Sequence, residues 1–174
     1  LAKGDLLIKN FDPKLIKTEL NLLKKVGAKI KLFKNSINVK GPERLKSIKN
    51  ITTKEYPGFP TDLAPQFMVL LCKASGTSSI TENIFQGRFL HAMELQRLGA
   101  KITIKNRTAK IEGNTNFIAA EVMSSDLRAS AALVLAGIVS KGNTVVTRVY
   151  HCDRGYENFE NKLKKIGVNI KRVK

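Results

Sequence analysis

Apolar residues recur along this chain with two alternating periods, and the pair of periods is written three times. Ahead of Gly27, Gly99 and Gly167 there is a leucine four residues back (Leu23, Leu95, Leu163) and an apolar residue immediately before the glycine (Val26, Leu98, Ile166). That spacing marks one face of a helix. Behind each glycine the pattern turns to alternation, in Ala28-Lys29-Ile30-Lys31-Leu32, Ala100-Lys101-Ile102-Thr103-Ile104 and Val168-Asn169-Ile170-Lys171-Arg172-Val173. Alternation predicts a strand with one buried face. The glycine between them is expected to take the positive φ that ends many helices, where a Cβ is costly.

Upstream, Gly4, Gly76 and Gly142 each stand four residues before an aliphatic residue (Ile8, Ile80, Val146) in a short β-type run, so the unit reads strand, helix, strand. Asp12-Pro13 signals the start of the first helix, a capping side chain followed by a residue pre-set for the first turn. Tyr156, Phe159, Leu163 and Ile166 predict a third amphipathic helix lying on a sheet. Two further helices, Thr61 to Ala74 and Ser125 to Ser140, are apolar nearly all round and should therefore run through the middle of the structure. Extra strands are expected at Ser36 to Lys40 and Thr108 to Glu112. The fold class is α/β, built from repeated strand-helix units at about 1–55, 56–120 and 121–174. The first unit lacks its central helix, so about two and a half of three units are present, in an incomplete single domain spanning 1–174.

With 174 residues, 43% of them hydrophobic, the chain can close one sizeable core. Its longest apolar stretches, Phe67 to Leu71 and Ala129 to Val139, fall short of the roughly 18 to 20 apolar residues of a membrane span, so no membrane partner is expected. The opening Leu1-Ala2-Lys3-Gly4-Asp5 has no initiator Met and no secretory pattern, which reads as a piece of a longer protein. Cys72, Cys152, His91 and His151 lack metal-ligand spacing or a disulfide framework, so neither a metal nor a cystine is expected and a reducing compartment fits. The net charge of +17 favours anionic partners, though dispersed lysines on solvated faces account for much of it.

Candidate chemistry lies at the helix starts. Thr61-Asp62-Leu63 and Ser125-Asp126-Leu127 open the two central helices with the same pair. The plainer reading of both acids is an N-cap, worth about 1 kcal/mol. Asp62, however, is fenced by Pro57, Pro60 and Pro65, a stiff loop that suits a carboxylate aimed for proton transfer. Gly87-Arg88 and Arg154-Gly155 pair a guanidinium with a glycine near the outer helices, which suits an anion site or, more plainly, arginines in surface turns. Arg128, two residues after Asp126, offers a local ion pair.

Four segments, YPGFPTDLAPQFMVLL, TENIFQGRFLHAMELQRLGA, SSDLRASAALVLAGIVSKGN and VYHCDRGYENFENKLKKIGV, closely resemble the UDP-N-acetylglucosamine enolpyruvyl transferases, in the family's order and from about Tyr56 onward. The resemblance implies a two-domain enzyme with strands outside and helices inside each domain and the active site in the cleft between them; the second catalytic domain is absent from this chain. The reaction it implies moves the enolpyruvyl group of phosphoenolpyruvate to the 3-hydroxyl of UDP-N-acetylglucosamine and releases phosphate. This is the first committed step of peptidoglycan synthesis, in the bacterial cytoplasm, with no metal or organic cofactor. Carried over by position, Asp62 resembles the carboxylate at the acceptor hydroxyl and the leading candidate for its base. Ile84 resembles the residue whose backbone contacts the sugar nucleotide, and Arg154 the arginine that holds phosphoenolpyruvate. Arg88, Asp126 and Arg128 match other positions lining the cleft, with Asp126 set beside Asp62 among the catalytic candidates. The family's early Lys-Asn pair and its mobile loop bearing a Cys or Asp acid have no counterpart here, so the chain alone is expected not to turn over substrate. The missing N-terminal part is then its obligatory partner.

The related 5-enolpyruvylshikimate 3-phosphate synthases share the implied architecture and donor, but HCDRGYEN argues against them. A basic nucleic-acid-binding module is the alternative in another class. Its expected marks, aromatic stacking platforms and a clustered arginine face, are missing from a chain with 6% aromatic residues.

Overall fold

In the first two units the alternating segments become sheets because each finds a partner strand within its own unit. The computed structural model describes Leu1 and residues 3–173. In the first unit β1 (Asp5–Lys9), α1 (Lys17–Lys25), β2 (Lys29–Phe33) and β3 (Ser36–Lys40) form an antiparallel sheet of order β1-β3-β2. After the short β4 (Ile51–Thr52), a 3-10 turn at Thr61–Leu63 leads into α2 (Ala64–Cys72). Then β5 (Thr77–Thr81), α3 (Leu90–Arg97), β6 (Lys101–Lys105) and β7 (Thr108–Glu112) repeat the first unit's order as β5-β7-β6, with β4 added parallel to β5. The third unit contains β8 (Glu121–Met123), α4 (Leu127–Ile138), β9 (Val145–Thr147), α5 (Tyr150–Asp153) and α6 (Phe159–Lys165), with β8 parallel to β9. Gly27, Gly99 and Gly167 sit just past their helices at φ of 104°, 93° and 90°, the left-handed region the repeat requires.

The two apolar helices run through the core. Met68, Val69, Leu71 and Cys72 of α2 are sealed from solvent, as are Ala132, Leu133 and Ala136 of α4. Register turns the apolar faces inward: Ile80 opposes Ala109 and Ile102 opposes Ile111, on the face that α2 and α3 cover. The equivalent face of the first sheet has no central helix over it. Ile8 pairs with Ile37 just as Ile80 pairs with Ala109, yet Ile8 is 41% exposed and Ile80 fully buried.

Two expectations are corrected. Residues 168–173 alternate but form no strand, because among the described residues no neighbouring strand in the third unit corresponds to β3 and β7 and takes up their backbone groups. Arg172 instead ties this segment down, forking onto Asp153 at 2.9 and 2.6 Å and reaching Glu160 at 3.4 Å. Of the stripe Tyr156, Phe159, Leu163, Ile166, only Phe159 and Leu163 lie within α6; Tyr156 precedes it, separated by the left-handed Asn158, Ile166 caps its end, and no residue of that helix is buried. No described helix is long and apolar enough to cross a membrane.

Candidate active site

The two look-alike acids have different local roles. Asp126 is a true N-cap of α4: its Oδ1 accepts from the backbone N–H of Arg128 at 2.9 Å and of Ala129 at 3.1 Å, and its Oδ2 from the Ser125 hydroxyl at 3.0 Å. Burial pushes its carboxyl up, but those hydrogen bonds and the Arg128 charge outweigh burial and hold it below the ordinary carboxylate range. Asp62 caps nothing. It lies within the 3-10 turn that precedes α2, where no side-chain cap bond forms. Its carboxylate instead pairs with the Arg128 Nε across the gap between the two helix starts, with 63% of the side chain exposed. Arg128 makes the local ion pair with Asp126, at 4.0 Å, and in addition bonds directly to Asp62.

Asp62 is aimed by the loop ahead of it. Phe59 is buried edge-on against Phe67 of α2, with ring centroids 4.9 Å apart, and its carbonyl accepts from the Lys54 N–H at 2.8 Å. The Pro57 carbonyl accepts from the Thr18 hydroxyl of α1 at 2.6 Å. The Tyr56–Pro57 peptide is cis.

Arg154 follows α5 on an exposed loop that is fastened to both helix starts. Tyr156 Oη accepts from Gln66 Nε2 of α2 at 3.2 Å. Gly155 lies so close to α4 that a Cβ there would meet Leu127 Cδ2 at 2.8 Å. Asp153, beside Arg154, is occupied by Arg172, whereas no described residue bonds or ion-pairs with the Arg154 guanidinium.

Ile84 follows β5 in a loop whose amides turn inward. Asn83 N–H donates to the Thr53 hydroxyl at 2.9 Å, and the N–H groups of Ile84 and Phe85 donate to Glu82 at 2.8 and 3.1 Å. The Ile84 side that remains for a ligand is its carbonyl, an acceptor. Arg88 lies farther along the loop, with its guanidinium 4.3 Å from the centre of the Phe85 ring. It lines a cavity of about 430 Å³ with Met93, Ile104 and Arg107, and no described hydrogen bond or ion pair joins it to Asp62. Arg128 thus joins Asp62 to Asp126, the loop carrying Arg154 is tied to the start of α2 through Tyr156 and Gln66, the Ile84 amide bonds to Glu82, and Arg88 has no described bond to any of them. Sequence reasoning missed Glu82, which bonds to the residue before Asp62. Its signal was an acid at the end of an otherwise alternating strand.

An exposed carboxylate held by a guanidinium can accept a proton from a bound hydroxyl, and an unpaired guanidinium can hold an anion. The sequence matches the family of EPSP synthase (3-phosphoshikimate 1-carboxyvinyltransferase) over residues 1–163. The UDP-N-acetylglucosamine 1-carboxyvinyltransferase of Pelagibacter ubique is 57% identical over 99% of the chain and 41% of its own length, and that of Desulfosudis oleivorans is 51% identical over the same shares. The chain therefore spans about two-fifths of the length of the curated relatives it matches. Among solved structures, the enolpyruvyl transferase NikO from Streptomyces tendae superposes with a TM-score of 0.90 at 25% identity, over 98% of this chain and 40% of that one. EPSP synthase from Acinetobacter baumannii shares the fold, with a TM-score of 0.78 at 18% identity over 99% and 43% of the two chains. By its sequence match and its fold alike, the chain belongs to the EPSP synthase family of carboxyvinyl (enolpyruvyl) transferases.

Proposed function

We propose that this chain is the C-terminal portion of an enzyme that transfers the enolpyruvyl group of phosphoenolpyruvate to the 3-hydroxyl of UDP-N-acetylglucosamine. The observation that carries the choice of acceptor is the 57% identity, over nearly the whole chain, to an enzyme named for that nucleotide sugar. The geometry supports the chemistry. Asp62 takes the proton of the acceptor hydroxyl while the hydroxyl oxygen bonds to C2 of phosphoenolpyruvate and C3 gains a proton from an acid outside this chain. Loss of that C3 proton and of phosphate from the tetrahedral adduct then restores the double bond. Arg128 orients Asp62 through their ion pair, and Asp126 fixes Arg128 by capping its helix. Arg154 grips the phosphoenolpyruvate anion, Arg88 lines the approach, and the Ile84 carbonyl accepts a hydrogen bond from the sugar nucleotide.

Residues 1–174 then form one incomplete domain, with units at about 1–55, 56–120 and 121–174. The helix that would cover Ile8 and the opposing half of the cleft belong to the portion of the longer relatives that this chain does not span. Closing that cleft dries the site, where fixed donors and charges act most strongly on a developing negative charge. The reading places the protein in the bacterial cytoplasm, at the start of cell-wall precursor synthesis. The test is phosphate release and product mass from the full-length protein given both substrates. Formation of enolpyruvyl-UDP-N-acetylglucosamine is expected; product from shikimate 3-phosphate instead would overturn the assignment.

A further inference from the structure

The candidate groups stand on separate segments, and one buried carboxylate touches two of those segments at once. Glu82, just past β5, is only 2% exposed. Its Oε1 accepts from the Thr53 hydroxyl at 2.8 Å and from the N–H groups of Ile84 at 2.8 Å and Phe85 at 3.1 Å. Its Oε2 accepts from the hydroxyl of Thr61, the residue immediately before Asp62, at 2.6 Å. Burial pushes the Glu82 carboxyl up, but the bonds from Thr61, Phe85, Thr53 and Ile84 outweigh it and keep the group ionised. A charge in the core is costly unless fully bonded, and an apolar residue of the same size would pack there without that cost. What the ionised carboxylate adds is direction. It only accepts, so all four donors must point at it, which turns the loop amides inward and fixes the Thr61 hydroxyl as a donor.

We propose that Glu82 is a positioning residue for the transfer reaction, locking the acceptor-binding loop at Ile84 and the Asp62 carboxylate into one geometry. The inference rests on the enolpyruvyl-transfer reading above. The path from loop to acid is short: the Ile84 amide, the Glu82 carboxylate, the Thr61 hydroxyl, then the peptide bond to Asp62. Thr53 secures the loop end of this path, because its hydroxyl donates to Glu82 and accepts from Asn83 N–H. The two threonines therefore divide the effect. Losing the Thr61 hydroxyl loosens the acid, and losing the Thr53 hydroxyl loosens the loop.

Glu82→Ala would strand four donors, two of them buried threonine hydroxyls, and is expected to fail to fold, so the hydroxyl variants carry the test in the full-length protein. Thr61→Val should lower kcat about tenfold or more while the KM for UDP-N-acetylglucosamine changes less than about threefold, an effect of the size misplacement of a reacting group produces. Thr61→Ser, which keeps the donor, should restore the rate. Thr53→Val should instead raise that KM about tenfold with a smaller change in kcat. A lowered melting temperature in both valine variants with kcat and KM unchanged would overturn the positioning role and leave the transfer reading intact. A wild-type protein that makes no enolpyruvyl product would overturn the transfer reading and the inference with it.

Discussion

Acidification from pH 7 to pH 5 should destabilise this protein through one side chain, His91. It lies in the first turn of α3, is 3% exposed, and its Nε2 has no hydrogen-bond partner. Burial pushes its pKa from 6.5 down to about 4, against the pull of the nearby Asp126 charge. Between those two values the unfolded chain binds a proton that the folded chain refuses. Stability therefore rises with pH through this window, and it is lost as the pH falls from about 6.5 towards about 4. A gap of some two to three pH units at about 1.4 kcal/mol each gives a total near 3 kcal/mol, with a limiting slope of about 1.4 kcal/mol per pH unit. That is a large share of the roughly 5–15 kcal/mol that holds a domain folded. The assay is urea unfolding followed by circular dichroism at pH 7, 6 and 5 and constant ionic strength, for wild type and His91→Gln. His151, the other of the two histidines, is present in both proteins, so the difference isolates His91. Glu82 and Asp126 act in the same direction but at lower pH: both pKa values are depressed, so their contributions hold above about pH 4 and disappear below it. Equal slopes in wild type and His91→Gln between pH 7 and 5 would refute the reasoning.

Three further substitutions separate stability from chemistry. Gly113→Ala places a Cβ 1.8 Å from the Ala74 carbonyl oxygen and 2.6 Å from that of Gly76, so backbone must shift; a loss of about 1–3 kcal/mol or more in denaturant titration is expected. Gly4→Ala, with nothing within 4 Å, should change stability by less than about 0.5 kcal/mol. Arg128→Lys keeps the charge but loses the planar fork that reaches Asp62; stability should change by about 1 kcal/mol or less while kcat of the full-length protein drops at least about tenfold. Loss of activity no greater than the loss of folded protein would reduce Arg128 to a surface ion pair.

The repeat was legible because its signals are local. A glycine past each helix and alternation behind it demand the same backbone wherever they occur, and β2, β3, β6 and β7 lie where the pattern puts them. Signals that depend on distant partners were not legible. β4 and β8 are two and three residues long and exist only through parallel pairing with β5 and β9. Residues 168–173 carry the same alternation as β6 but find no strand to pair with. Asp62 and Asp126 share a local sequence, yet the 3-10 turn after Pro60 sets Asp62 ahead of its helix and frees it from capping. Glu82 escaped notice because the hydroxyls that define it come from 29 and 21 residues away in sequence.

The most direct measurement is steady-state enolpyruvyl transfer by the full-length protein carrying Asp62→Asn. The substitution keeps the side chain's shape and removes its ability to take a proton, and a positioned general base contributes about 100- to 10,000-fold. A fall in kcat of at least about 100-fold, with the fold and UDP-N-acetylglucosamine binding retained, is the predicted result. Turnover within about threefold of wild type would contradict it and leave Asp62 as no more than the partner of Arg128.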